Sequence, residues 1–213
     1  MPILLNAQKV KKPNLKSETD SMSYALALSL AEKLKNEGVE NINVKIFSSA
    51  FEDAFSGKEM YFTEEQVNSI LDEYFNKKSN MQAQKNLEEG EKFLAENAKK
   101  EGVITLESGL QYIVIEEGQG ESPKITDNVK THYHGTFING KVFDSSYERG
   151  EAISFPVNGV ITGWTEALML MKPGAKWKLF IPSKLAYGQR GAGGVIGPNT
   201  ALIFDVELLE IEK

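Results

Sequence analysis

The chain has 213 residues, enough for one large domain or two small ones, and its 41% hydrophobic and 25% charged residues are typical of a globular protein. Its net charge of -6 counts against sequence-independent binding of nucleic acid, which needs a basic surface, so we expect no nucleic-acid partner. The chain has no cysteine, which excludes disulfides and thiolate metal sites. It has no run of about 18 apolar residues, so we expect no transmembrane helix.

Residues 1–16 are predicted to form a flexible, charged lead-in. The apolar start Met1–Ala7 is too short for a signal peptide, which needs about 7–15 apolar residues after a basic start. Two interpretations stay open: the chain is cytoplasmic as it stands, or Met1–Ala7 is the remnant of a trimmed signal peptide. The second would place the protein in the periplasm or the cell envelope.

Two amphipathic helices are predicted next, over residues 17–36 and 44–56. The first carries apolar side chains at helical spacing on more than one face, so it needs cover on several sides. Gly38 and Gly57 follow the two helices as residues suited to left-handed caps. The apolar positions are Met22, Tyr24, Leu26, Ala27, Leu28, Leu30, Ala31 and Leu34, then Ile46, Phe47, Ala50, Phe51, Ala54 and Phe55.

A third helix is predicted from Thr63 to Gly102. Thr63 and Gln66 have the spacing of a capping box, and no proline interrupts the segment. A continuous helix of this length would be about 60 Å long at 1.5 Å per residue. Apolar positions are dense up to Phe75 and sparse beyond it, so we expect the middle of the helix to face water as a spacer. Gly90 is a weak point that costs about 1 kcal/mol relative to Ala.

This helical region carries more apolar surface than three helices can bury among themselves. About 60 residues also make a thin core for a single chain. We therefore predict that residues 17–75 form an intertwined homodimerisation domain and that residues 76–102 form a long connecting helix. The alternative is a monomer in which these helices pack on the C-terminal domain.

Beyond residue 102 the pattern changes to short alternating runs broken by Gly, Pro and Asn, which predicts a second domain over 103–213. Asn139-Gly140 between two such runs is a strong hairpin signal, and residues 185–200 form a long glycine-rich loop of the kind that is often functional. With one short helix at 163–170, the fold class is α+β, a twisted antiparallel sheet wrapped on a helix. The predicted strands are 110–116, 128–138, 141–144, 153–155, 175–181 and 200–211.

Several motifs of this second domain occur together in a fixed order. Phe143-Asp144 sets one acceptor beside a large apolar ring, which suits a mostly apolar pocket with few polar groups. The other motifs are Tyr133-x-Gly135, Val160-Ile161-x-Gly163-Trp164, Ala186-Tyr187-Gly188, Pro198 and Phe204-Asp205-Val206-Glu207-Leu208-Leu209.

In order and spacing, these motifs from about Glu107 to Ile211 resemble the FKBP-type peptidyl-prolyl cis-trans isomerases. The layout upstream of them resembles the macrophage infectivity potentiator branch of that family. This branch has an N-terminal dimerisation domain, a long connecting helix and a C-terminal isomerase domain. The resemblance therefore implies an all-helical dimerisation domain followed by an FKBP-like sheet domain.

The resemblance also implies a proline-binding pocket. Trp164 matches the residue that forms the pocket floor, and the Ile161 N–H and the Tyr187 hydroxyl match groups that bind substrate carbonyls. Asp144 matches an acceptor that orients hydrogen bonds around the twisted amide. The expected catalytic residues are Tyr133, Phe143, Asp144, Trp164, Tyr187 and Phe204, and the expected substrate-binding residues are Phe155, Val160, Ile161, Ile196 and Leu202.

The implied reaction needs no nucleophile, metal or cofactor. Amide resonance sets a barrier of about 18–20 kcal/mol, and a dry apolar pocket favours the less polar twisted amide. We predict a homodimeric isomerase that accelerates X–Pro isomerisation in unfolded or partly folded polypeptides and has chaperone activity. The alternative is a dimeric holdase whose proline pocket mainly binds clients. The resemblance further implies binding of FK506- and rapamycin-type macrolides in the same pocket.

Two features admit other interpretations. His132 and His134 lie on one strand face, but no third ligand is evident, so we expect solvent-facing residues and no metal site. The glycines between 188 and 194 suggest a phosphate loop, but the Lys-Ser/Thr of a P-loop is missing, so we expect a flexible pocket rim. Compared with the family pattern, His134 replaces a small hydroxyl residue and Gly197 replaces proline. We expect His134 to point away from the pocket and Gly197 to loosen the rim.

Overall fold

The computed structural model describes residues 14–212, which fall into two compact units divided between Gln66 and Val67. Most of the predicted lead-in 1–16, and all of the segment Met1–Ala7, lie outside the described residues. Among the residues that are described, no helix is long and apolar enough to cross a membrane.

The first unit contains two helices, α1 (Glu18–Asn36) and α2 (Val44–Phe55). Ser17 caps α1 by accepting a hydrogen bond from the Asp20 N–H, and Asn43 caps α2 in the same way. Neither helix contains a buried residue, so the apolar faces predicted for both are open to solvent in the single chain. Phe47, Phe51 and Phe55 stack along one face of α2, with ring centroids 6.1 and 4.8 Å apart.

Helix α3 (Glu64–Asn97) is 34 residues long. It begins in the first unit, and from Val67 onward it belongs to the second. The capping box is confirmed, because the Thr63 N–H donates to Gln66 Oε1 and the Gln66 N–H donates to Thr63 Oγ1. The helix is continuous through Gly90 and ends at Asn97, five residues before the predicted end. Residues 76–85 are mostly exposed, as expected for a spacer.

The last third of α3 differs from that expectation because it packs on the sheet of the second unit, to which it belongs. The rings of Phe93 and Phe180 lie 6.0 Å apart, and Gln111 Nε2 donates to the Leu94 carbonyl over 2.9 Å. Gly90 is buried, and a Cβ added there would lie 3.0 Å from the Cβ of Ala201. The missing side chain therefore permits close approach of the helix to the sheet.

The second unit is an antiparallel seven-stranded sheet with a short helix packed on it, which confirms the α+β fold class. The strands lie in the order β1-β2-β6-β7-β3-β4, and β5 pairs with β3. All six predicted strands and the predicted helix occur within two residues of their expected ends, whereas β1 and the one-turn α4 were not predicted. The elements are β1 (Ile104–Thr105), β2 (Gln111–Glu116), β3 (Asn128–Phe137), β4 (Val142–Ser145), α4 (Ser146–Arg149), β5 (Ile153–Pro156), α5 (Thr162–Leu168), β6 (Lys176–Ile181) and β7 (Leu202–Glu212).

The core of this unit lies between α5 and one face of the sheet. Trp164, Ala167 and Leu168 of α5 are buried together with alternate side chains of the central strands, among them Leu179 and Val206. A Cβ at Gly163 would lie 2.6 Å from Cγ2 of Ile181, so a glycine is needed where α5 starts against β6. This packing sets the first turn of α5 across the face of the sheet and fixes Trp164 there.

Candidate functional site

A cavity of about 400 Å³ opens between the β3–β4 hairpin, the start of α5 and the segment that follows β6. Its lining is mainly aromatic and aliphatic, with a few polar groups, which is the composition of a pocket for a small apolar group. The lining residues are Tyr133, Phe143, Asp144, Ile153, Phe155, Gly159, Val160, Ile161, Trp164, Tyr187 and Phe204.

Trp164 packs edge-on against three aromatic rings of the cavity. Its ring centroid lies 5.3 Å from that of Tyr133, 5.5 Å from that of Phe155 and 5.2 Å from that of Phe204. Such edge-to-face pairs stabilise by about 0.5–1.5 kcal/mol each beyond area burial. Trp164 is 4% exposed, so its position is fixed by packing before any ligand enters.

Gly135 of β3 lies beneath two aromatic rings of the cavity. A Cβ at this position would lie 2.7 Å from Cζ of Phe143 and 2.9 Å from Cε1 of Phe204. The two rings meet edge-on with their centroids 5.4 Å apart over this glycine. The glycine therefore makes room for the aromatic wall that Phe143 and Phe204 form.

Ile161 lies at the entrance of α5 as its N-cap residue, with extended backbone angles. Its carbonyl accepts hydrogen bonds from the N–H groups of Trp164 and Thr165. The N–H of an N-cap residue stands outside the helical ladder. At the edge of the cavity, the Ile161 N–H is therefore suited to donate to a ligand.

Asp144, Tyr133 and Arg149 form a closed polar network at one side of the cavity. The Tyr133 hydroxyl donates to Asp144 Oδ2 over 2.6 Å, and Arg149 Nη2 donates to the Tyr133 oxygen over 2.9 Å. Arg149 Nη1 also forms a salt bridge with Asp144 Oδ1. The guanidinium lies 5.6 Å from the centroid of the Tyr133 ring, which adds a cation–π contact.

Arg149 was not among the residues predicted for the site. The one-turn helix α4 brings this residue back to the cavity, and the Ser145 side chain caps the turn by accepting from the Glu148 N–H over 3.3 Å. The signal was present in the sequence as Ser145-x-x-Glu148, which has the spacing of a helix start. An arginine directly after such a start, five residues from Asp144, is a candidate partner for that carboxylate.

These contacts set the charge states of the polar groups. Burial by itself raises the pKa of Asp144, but hydrogen bonds from Tyr133 and Arg149, together with the Arg149 charge, bring it below the ordinary 3.8. Burial and the bond to Asp144 raise the pKa of the Tyr133 hydroxyl, and burial with the charge of Asp144 raises the pKa of Tyr187. At neutral pH the site therefore offers an ionised acceptor and neutral donors, which suit orientation of hydrogen bonds more than proton transfer.

The two histidines support β4 from the other side. His132 Nδ1 lies 3.0 Å from Ser146 Oγ, and His134 Nδ1 lies 3.1 Å from Ser145 Oγ. Both histidines are half-buried, so they face solvent only in part, and neither lines the cavity. Within residues 14–212, no group of three His, Cys, Asp or Glu side chains could hold a metal ion.

Nine of the eleven residues predicted for the site line the cavity. The other two, Ile196 and Leu202, lie in the buried core, with 8% and 1% of their surface exposed. Ile153 and Gly159 line the cavity without having been predicted. Ile153 alternates with Phe155 along β5, and the period of two that puts both on one face is the signal that would have found it.

Sequence models of two families match this chain over most of its length. The model described as "FKBP-type peptidyl-prolyl cis-trans isomerase" matches residues 119–209. The model described as "Domain amino terminal to FKBP-type peptidyl-prolyl isomerase" matches residues 19–114.

Similar proteins cover almost the whole chain. "Peptidyl-prolyl cis-trans isomerase Mip" of Coxiella burnetii is 44% identical over 207 residues, which are 93% of this chain and 89% of that protein. "Outer membrane protein MIP" of Legionella longbeachae is 40% identical over 211 residues, 94% of this chain and 88% of the relative. The crystal structure of FkpA from Escherichia coli matches with a TM-score of 0.72 and 38% identity, over 93% of this chain and 99% of that one.

Proposed function

This chain belongs to the FKBP-type peptidyl-prolyl cis-trans isomerases, and from that premise we propose how its pocket isomerises X–Pro bonds in polypeptide substrates. The proline ring enters the aromatic box and rests on Trp164. Water is excluded there, and the planar amide, which is the more polar form, loses more solvation than the twisted amide does. The energy difference between the two forms therefore decreases, and the barrier to rotation falls. The packed, edge-on rings around Trp164 are the observation that carries this proposal.

The polar groups then hold the substrate backbone around the rotating bond. The Tyr187 hydroxyl and the Ile161 N–H donate to substrate carbonyls on either side of the proline. Asp144, ionised and fixed by Arg149, holds the Tyr133 hydroxyl in place, acts on the twisting amide through its charge and transfers no proton. Preorganised groups of this kind lower a barrier because they need no rearrangement when the charge distribution changes.

The test of this site compares two tyrosine-to-phenylalanine variants of the full chain. Tyr187→Phe removes a hydroxyl from the cavity and should lower kcat/KM on a short proline peptide roughly tenfold, the scale of one lost hydrogen bond to substrate. Tyr147→Phe is the matched control, because its hydroxyl binds Glu207 over 2.6 Å and its ring is not part of the cavity lining. Equal activity in the two variants would refute the role of Tyr187.

We propose further that residues 17–75, which include α1 and α2, form a homodimerisation domain. The support is its exposed apolar surface: Leu26 is 60% exposed, Ile46 65% and Phe55 82%. Large exposed apolar side chains in such number mark an interaction surface, and obligate dimer interfaces resemble a protein core cut in half. A second copy of the same helices supplies matching apolar faces for residues 17–75.

Light scattering of the full chain tests the dimer, which should have twice the mass of one chain. Phe51→Asp places a charge in the middle of the stacked phenylalanines of α2 and should give the mass of a monomer. Ser49→Asp adds the same charge about 200° around the helix, on the polar face, and should remain dimeric. A monomeric wild-type protein would refute the proposal.

The dimer would give the isomerase a chaperone function, since two pockets in one assembly bind one client chain more tightly than a single pocket does. The rival proposal is a holdase whose pocket mainly retains clients. Tyr187→Phe distinguishes the two proposals in a client whose aggregation is still suppressed. An isomerase predicts that loss of the hydroxyl slows proline-limited refolding of the client, and a holdase predicts an unchanged rate.

FK506- and rapamycin-type macrolides are proposed ligands of the same pocket. A cavity of about 400 Å³ with an aromatic base accommodates a saturated ring from such a compound, with Tyr187 and Ile161 as donors. FK506 should inhibit peptide isomerisation in the wild-type protein. Trp164→Ala should weaken this inhibition. If FK506 inhibits the residual activity of Trp164→Ala as strongly as it inhibits the wild-type protein, the compound binds elsewhere.

For the compartment, we propose the cell envelope. The support is the printed name of the Legionella relative, "Outer membrane protein MIP", which is 40% identical over 211 residues. Fractionation of cells that produce the protein from its native gene should find it outside the cytoplasmic fraction. Recovery with cytoplasmic markers would instead support the cytoplasmic alternative.

A further inference from the structure

We propose that Asn86 of α3 is a positioning residue for the isomerase site, acting through the glycine-rich loop between residues 188 and 200. This loop follows Tyr187 directly and returns to the start of β7. Asn86 itself does not line the cavity, so any effect on catalysis must pass through the loop.

The side-chain amide of Asn86 donates two hydrogen bonds to the loop. Asn86 Nδ2 donates to the Pro198 carbonyl over 2.7 Å and to Thr200 Oγ1 over 3.2 Å. The oxygen of the same amide accepts from Gln82 Nε2 over 2.6 Å, one helical turn earlier, which fixes the orientation of the group. The amide is therefore held on the helix and directed at the loop.

A second hydrogen bond carries this constraint across the loop to Tyr187. The Asn199 N–H, next to Pro198, donates to the Gly188 carbonyl over 2.7 Å and ties the two ends of the loop together. Gly188 is the residue after Tyr187. Two hydrogen bonds of 2.7 Å thus connect the helix amide to the backbone that presents the Tyr187 side chain.

The loop backbone is shaped for this approach. A Cβ at Gly197 would lie 3.2 Å from Asn86 Nδ2, so a glycine there leaves room for the amide. Asn199 has a φ of +52°, in the left-handed region, and its side chain donates to the Ala83 carbonyl over 3.4 Å. An unfavourable backbone conformation persists where surrounding contacts hold it.

Glycine makes up much of the rest of the loop, with positive φ at Gly188, Gly191, Gly193 and Gly194. A loop with so little side-chain restraint samples many conformations unless its ends are fixed. Asn86 restrains the loop from helix α3, and Asn199 restrains it from within the loop. The loop that follows Tyr187 is therefore held by α3, a helix whose middle was expected to be only a spacer.

Two measurements on the full-length protein test this inference, which rests on the proposed role of Tyr187. The first is kcat/KM on a short proline peptide in a protease-free assay. The second is the rate of limited tryptic cleavage after Arg190, an exposed residue inside the loop. Asn86→Ala should lower kcat/KM roughly tenfold by misplacing a substrate contact, and should accelerate cleavage at Arg190 several-fold.

Gln84→Ala is the matched control, since Gln84 makes an exposed side-chain bond to Glu88 on the same helix. It should leave both measurements as in wild type. Asn86→Asp keeps the volume of the side chain but replaces the donor by an acceptor, and should change both in the same direction as Asn86→Ala. Thermal unfolding of each variant identifies any general loss of the fold.

The inference is overturned if Asn86→Ala leaves kcat/KM within twofold of wild type, or if kcat/KM falls while cleavage at Arg190 is unchanged. A failure of the proposed Tyr187 role shows separately, as a fully active Tyr187→Phe enzyme. In the Tyr187→Phe background, Asn86→Ala should cause a smaller further loss than it causes alone, because both changes affect one contact.

Discussion

Asp144 has both carboxylate oxygens bound by different partners, one by the Tyr133 hydroxyl and the other by Arg149. A carboxylate held in this way keeps its orientation when substrate enters. It also keeps its charge, because the hydrogen bonds from Tyr133 and Arg149 and the positive charge of Arg149 stabilise the ionised form and lower the pKa of Asp144. The arrangement favours electrostatic orientation of the amide over acid-base catalysis.

Arg149→Gln should therefore raise the pKa of Asp144. The substitution removes a hydrogen bond and a positive charge that both lower this pKa, and leaves burial, which raises it. Carbon-13 NMR titration of the Asp144 carboxyl measures the change directly. Lys178→Gln is the control, since Lys178 pairs with Asp205 over 3.1 Å and should not affect Asp144. An unchanged pKa in Arg149→Gln would contradict the network.

The same shift has a consequence for stability at acid pH. The folded-state pKa of Asp144 is depressed, so its contribution is present above the unfolded value and is lost as pH falls through the folded value. The difference in urea midpoint between wild type and Arg149→Gln should thus be largest near neutral pH and shrink below about pH 4. A difference that grows on acidification would have the wrong sign for this origin.

Most of the pocket could be predicted because its residues carry a distinctive type at a fixed spacing. Trp164 and Phe204 are such residues, and both line the cavity. Arg149 could not be identified in the same way, because its role depends on a single helical turn that brings it back to Asp144. Ile196 and Leu202 were expected to bind substrate but are buried in the core. Their positions in the sequence do not distinguish a side chain at the edge of the cavity from one buried behind it.

At the scale of elements, α3 shows where periodicity stops being informative. Its first half has an apolar stripe, and its start and capping box followed from the sequence, whereas its end at Asn97 comes five residues before the predicted one. Its last third makes contacts through the apolar Phe93, and also through Asn86, Gly90 and Asn97, which no amphipathic pattern marks. Small and polar residues at an interface carry no hydrophobic signal, so the packing of this segment on the sheet was not predicted.

Gly90→Val should destabilise the second unit by about 1–3 kcal/mol, the usual cost of adding volume to a packed contact. The reason is the 3.0 Å between a Cβ at this position and the Cβ of Ala201. Urea unfolding measures the effect. Gln84→Val on the exposed face should change stability by less than about 0.5 kcal/mol.

A double variant isolates the contact from the helix propensity of glycine. In an Ala201→Gly background the Cβ of residue 201 is absent, so Gly90→Val should cost less than it does alone. If the cost is the same in both backgrounds, the close approach at Ala201 does not explain the glycine. If Gly90→Val stabilises the protein, helix propensity dominates this position instead.

At the scale of the whole molecule, the cavity and the surface proposed for dimerisation lie in different parts of the chain. The described lining of the cavity runs from Tyr133 to Phe204, so a single chain supplies the complete pocket. The exposed apolar helices lie in the other unit. A change that separates the two chains should therefore leave the chemistry of each pocket intact.

Two variants with opposite defects should consequently separate the two activities on a large client. Phe51→Asp should keep peptide kcat/KM per chain within about twofold but lose suppression of client aggregation, because one pocket lacks the gain from a tethered second pocket. Tyr187→Phe should keep the dimer and suppress aggregation, yet slow proline-limited refolding of the same client. If Tyr187→Phe leaves that refolding rate unchanged, the holdase alternative is favoured. If Phe51→Asp suppresses aggregation as well as wild type does, the first unit has a function other than pairing two pockets.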